Sequence, residues 1–149
     1  MKITLKGLKS FQGMDGQAFR AQICFDGKVV GSVVNEGMGG PNNYVGLTSY
    51  GLSKKDTATL KAAANAAGHK GIECEDMFIE DLIEEMDVLK EHKKNLKKGF
   101  KVTAWVDLGP FERATIHLFS KDNLEKHLKK NKAKLIKLFE GEEALVSSS

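Results

Sequence analysis

Asp26-Gly27 sits between two runs of strand-like residues, and no other feature narrows so far what this chain can fold into. Before it, Phe19, Ala21, Ile23 and Phe25 occupy one face of an alternating pattern and Arg20, Gln22 and Cys24 the other; after it, Val29, Val30, Val33 and Val34 supply a return strand. Asp-Gly is a preferred pair for a two-residue type I′ turn, which needs positive φ at both central positions. The pattern therefore predicts an antiparallel hairpin. Residues 2–9, with Ile3 and Leu5 between Lys2, Thr4 and Lys6, predict a further strand with one wet face, joined to the hairpin by a turn at Gly13-Met14-Asp15-Gly16.

Helical spacing takes over downstream. Ser53 stands as an N-cap with Asp56 at the third helical position, and the alanine-rich run that follows is stopped by Gly68. A longer helix is predicted over 76–98 from the spacing of Ile79, Leu82, Ile83, Met86 and Leu89. Acids crowd its first half and lysines its second, an order that complements the helix dipole. Gly99 ends it. Residues 100–108 and 113–119 then alternate around Gly109-Pro110 as a second hairpin, Asp122-Asn123-Leu124-Glu125 reads as a capping box for a short helix carrying Leu124 and Leu128, and Leu135, Ile136 and Leu138 read as an edge strand. The expected architecture is one α+β domain over residues 1–141. Its antiparallel sheet would hold both hairpins and the N-terminal strand, covered by two longer helices and a short C-terminal one, with 142–149 a flexible tail.

Composition excludes more than it assigns. A chain of 149 residues, 41% hydrophobic, buries enough surface to fold without a metal or a disulfide. Cys24 and Cys74 are far apart and lack a CxxC partner, which predicts free thiols and a reducing, cytoplasmic setting. No stretch reaches 18 consecutive apolar residues, so no membrane span is expected. The net charge of +3 is too small to imply nucleic-acid binding by itself. Residues 73–87 hold eight acids and no base, and residues 121–137 seven lysines against two acids. Such sorting leaves separate acidic and basic regions unless folding brings them together.

Few residues offer chemistry. His69, Glu73, Cys74 and Glu75 match no zinc spacing; there is no GxSxG, and neither cysteine neighbours a histidine. No catalytic residue, metal ligand or cofactor is assigned. Glu84-Glu85 reads as a solvated helix face, and His92, His117 and His127 as surface or boundary residues. The lysines Lys126, Lys129, Lys130, Lys132 and Lys134 are the nucleic-acid candidate, since helical spacing can align several along one ridge. Interleaved aromatics are missing from that segment, so a solvated face is the favoured reading.

The loop leaving the first hairpin is the candidate working surface: Asn35, Glu36, Gly37, Met38, Gly39, Gly40, Pro41, Asn42, Asn43 and Tyr44. Its glycines and asparagines fit three roles. One is a structural turn held by local side-chain to backbone bonds, another a contact for a partner protein, and the third an anion-binding nest of backbone amides helped by Lys6 or Lys9. The nest reading lacks the GxxxxGK[ST] pattern and a following helix. An opening like Met1-Lys2-Ile3-Thr4-Leu5-Lys6, the turn Asp26-Gly27-Lys28, this loop and the later Asp81-Leu82-Ile83 together resemble a family of small uncharacterised accessory proteins of bacteriophages and mobile elements. The family pattern is an N-terminal hairpin followed by Asn-(Asp/Glu)-Gly-x-Gly-Gly-x-Asn-Asn. The match is good over the first 45 residues and holds only in layout beyond them. Pro41 replaces a common cysteine, which argues against a thiol or metal site in the loop. The resemblance brings no catalytic residue. It implies a non-enzymatic binding protein in the host cytosol that inhibits a host or antiviral-defence protein; the alternatives are a sponge for a phosphate-bearing signalling nucleotide and a nucleic-acid binder using the lysine cluster.

Overall fold

The computed structural model describes residues 2–14, 16–48, 50–110 and 112–146 and shows an α+β protein. Contacts group the chain into two compact units, Met1–Ile83 and Glu84–Ser149. The first holds strands β1 (Ile3–Gly13), β2 (Gly16–Phe25), β3 (Lys28–Asn35) and β4 (Asn43–Gly46), helix α1 (Lys54–Ala66) and the start of helix α2 (Cys74–Lys97). The second holds the remainder of α2, strands β5 (Val102–Gly109), β6 (Glu112–Leu118) and β7 (Lys134–Glu140), helix α3 (Leu124–Asn131) and a short helix α4 (Glu143–Val146).

Strand pairing is antiparallel throughout, and it makes two sheets where the sequence pattern predicts one. The first sheet has the order β1-β2-β3-β4, the second β6-β5-β7. Alternation fixes which neighbours pair across a turn but says nothing about whether two hairpins share an edge. Here β1 and β4 flank the first hairpin on β2 and β3, while β7 joins the second on β5 and leaves β6 at the end of its sheet. Asp26 and Gly27 adopt φ of 51° and 83°, as the hairpin turn requires. Asp15, expected in the preceding turn, lies outside the described residues.

In the first sheet the buried face carries Ile3, Leu5, Phe19, Ala21, Ile23, Phe25 and Val33, and the helices of that unit bury Leu60, Ala64, Cys74 and Ile79. Ser53 caps α1 as expected, its Oγ accepting from the Asp56 amide at 3.1 Å. Both cysteines are free and buried.

In the second unit Val88, Trp105 and Phe139 form one core cluster, with Leu89 and Ala144 against it, and Val102, Ala104, Val106 and Leu118 are buried as well. Ala144 belongs to α4, so part of the expected C-terminal tail is helical; residues 147–149 lie outside the described residues. The expected capping box at Asp122-Glu125 is replaced by a one-turn 3-10 helix at Lys121–Asn123. There the Ser120 Oγ accepts from the Asp122 amide at 3.4 Å, and α3 follows with no side-chain cap of its own.

Polar ties run from α2 to its own unit's sheet. Glu84 pairs with Arg113 at 2.9 Å, Glu85 with Lys137, and Glu91 with His117 at 3.0 Å. Glu84 and Glu85 thus stay in contact with solvent, as expected, and also pair with bases of the sheet. His92 is a correction, since it is fully buried. Its Nδ1 lies 2.8 Å from the Thr103 Oγ1 and its Nε2 2.8 Å from the Gly141 carbonyl, so both ring nitrogens are occupied.

Candidate functional site

The loop 35–44 is built from within. Gly37 donates its amide to the Asn35 Oδ1 at 2.8 Å, an Asx turn, while the Asn35 Nδ2 donates to the Gly40 carbonyl at 3.3 Å and to the Asn42 Oδ1 at 2.9 Å. Asp76, in the first turn of α2, fastens the far end, accepting from the Asn42 amide at 3.2 Å and from the Tyr44 hydroxyl at 2.6 Å. Burial, with the Asp76 carboxylate next in importance, holds the Tyr44 phenol protonated far above its ordinary range. Asn43 and Tyr44 are already strand, opposite Val34 and Val33.

Gly37 also makes the loop's closest approach to the sheet. Its φ is +73°, and a Cβ there would sit 2.8 Å from the Gly13 Cα and 3.0 Å from the Gly16 carbonyl. The loop thus folds onto the turn between β1 and β2 and covers Ala18. This contact puts two methionines on one end of the sheet, Met14 beside Gly13 and Met38 beside Gly37, with 84% and 59% of their surfaces exposed. Glu36, Gly39 and Gly40 are exposed alongside.

The lysine cluster is only partly brought together. Lys126, Lys129 and Lys130 share one ridge of α3, opposite half-buried Leu124 and Leu128. Lys132 ends the helix in a left-handed conformation with φ 51°, and Lys134 lies on β7 opposite Asp107. A shallow recess of about 230 Å³ is lined by Asn123, Lys126, His127 and Lys130.

Three features escaped sequence reasoning. The tie from Asp76 to the loop joins residues 32 and 34 positions apart, and no periodic signal encodes it. The His69–Asp81 pair, at 2.6 Å, links the segment before α2 to the helix itself. Asn95, whose Nδ2 lies 2.7 Å from the His117 Nδ1, completes a chain through His117 and Glu91 to the Thr115 hydroxyl. Among the described residues no three His, Cys, Asp or Glu side chains converge as a metal site would need, and no helix is long and apolar enough to cross a membrane.

Comparison of the chain with protein-family models, with curated proteins and with solved structures found no match.

Proposed function

We propose that this chain is a non-enzymatic binding protein, of the kind the phage accessory proteins it resembles are expected to be, and that it inhibits a host or defence protein. The contact surface is the end of the first sheet formed by the loop 35–44 and the β1–β2 turn. The observation that carries this reading is the presentation of Met14 and Met38 by a loop in which the Asn35 side chain holds Gly37, Gly40 and Asn42 together. Exposed, adaptable methionines on a preorganised support suit protein contact, because the loop is already ordered before the partner arrives.

The nucleotide-sponge reading has less support. The Gly37 amide is engaged by Asn35, and the Asn42 amide by the Asp76 carboxylate, whose charge would oppose a phosphate at the same place. The test is capture from a bacterial host lysate with tagged protein and with the double variant Met14→Asp, Met38→Asp. A protein retained by the parent and reduced at least about tenfold by the variant, with an unchanged melting temperature, is the expected result. Equal retention by both would refute the assignment of this surface.

A further inference from the structure

The second face of the first sheet points to a ligand that the loop does not. Register places Lys6 opposite Gln22, Gln22 opposite Ser32 and Ser32 opposite Val45; the next row runs Lys9, Arg20, Val34, Asn43. Phe11 begins a third row opposite Ala18, which the loop 35–44 covers, so the row lies at the edge of the open face beside that loop. Lys6, Lys9, Arg20, Gln22 and Asn43 are exposed, and Phe11 has 66% of its surface in solvent. None of the strand positions on this face is acidic.

Two details set this face apart from an ordinary wet side of a sheet. Lys9 and Arg20 are directly opposite on neighbouring strands, an arrangement of like charges that disfavours pairing, and neither has an ion-pair partner among the described residues. The face is also there by way of a bulge. Between Lys6 and Lys9 β1 carries one residue more than β2 does between Gln22 and Arg20, with Gly7 at φ +65°. Strict alternation from Ile3 and Leu5 would turn Lys9 and Phe11 inward; the extra residue turns both outward.

We infer that the open face of this sheet binds single-stranded nucleic acid, with Lys6, Lys9 and Arg20 on phosphates, Phe11 stacking against a base, and Gln22 and Asn43 supplying hydrogen bonds to base edges. Charge complementarity selects a polyanion. The exposed aromatic beside the cations selects unpaired bases over a duplex, whose bases are stacked on each other, and over an acidic peptide, which has none. The site goes beyond the methionine surface proposed above and is separate from the lysine ridge of α3.

The test is fluorescence anisotropy with end-labelled 12-nucleotide single strands of mixed sequence, RNA and DNA, in about 50 mM salt, where phosphate contacts are strongest. Binding is expected, with log K falling against log salt at a slope of about −2, from three phosphate contacts on a single strand. Lys9→Ala with Arg20→Ala should abolish measurable binding, and Phe11→Ala should weaken it about tenfold. Lys126→Ala with Lys130→Ala should leave it unchanged. Amide chemical-shift changes in the parent protein should centre on β1 and β2, a readout that needs no variant to fold. No binding at low salt, tighter binding of a duplex, saturation by inorganic phosphate alone, or sensitivity to the α3 pair rather than the sheet pair would each overturn the inference.

Discussion

Gly37 shows how much a single position hides in sequence. The Gly-rich loop was legible as unusual, and its asparagines as sources of local bonds, but the partner that requires glycine is Gly13, which belongs to another turn. Close backbone approach leaves no pattern in either segment alone. Gly37→Ala combines a left-handed backbone with a Cβ 2.8 Å from the Gly13 Cα, and is expected to cost about 2–4 kcal/mol, read as a lowered urea midpoint. Gly40→Ala meets nothing within 4 Å and should change stability by less than about 1 kcal/mol. A similar loss for both would mean the loop is uniformly strained, with no special contact at Gly37.

At the scale of elements, the periodic signals held where one face is buried and failed where polar groups decide. The hairpins, the capped α1 and the edge strand β7 follow from alternation, Ser53 and turn residues. β4 was missed because Asn43–Gly46 has only four residues and begins inside the expected loop. Helix α2 was read from its apolar stripe, yet its second half is fixed as much by Glu84, Glu85, Glu91 and His92, whose partners lie on strands 11 to 52 residues away. His92 looks like one more polar residue in a lysine-rich segment. Its replacement by Ala would strip partners from the buried Thr103 hydroxyl and the Gly141 carbonyl and leave a void, at an expected cost of about 2–4 kcal/mol. Calorimetry of His92→Ala, beside exposed Lys93→Ala as a control, checks this; equal melting temperatures would contradict the buried role.

For the whole molecule, the +3 charge conceals a sorted surface. Part of the acidic run is neutralised by bases of its own unit, Arg113 and Lys137, whereas Lys6, Lys9 and Arg20 share a sheet face on which no strand residue is acidic. Net charge alone gave no hint of this, because the sheet register determines which charges are neighbours. Global stability should also carry an alkaline limb. Burial, with Glu75 next in importance, pushes the Cys74 thiol up, and Tyr44 is raised as well, so the native state keeps protons that the unfolded chain releases above about pH 8.5 for cysteine and about pH 10 for tyrosine. Stability is then full below the unfolded values and falls as pH rises past them. Urea midpoints at pH 7, 9 and 10.5 should decline in that order, and Tyr44→Phe should flatten the last step; a flat profile in the parent would contradict both shifts.

The bulge at Gly7 gives the gene a vulnerability of its own. Because the orientation of β1 depends on one additional residue between Lys6 and Lys9, in-frame loss of a single codon there would leave the composition almost unchanged. The strand would then have to present either Ile3 and Leu5 to water or Lys9 and Phe11 to the interior, so chain length at this point carries information that no side-chain substitution could replace.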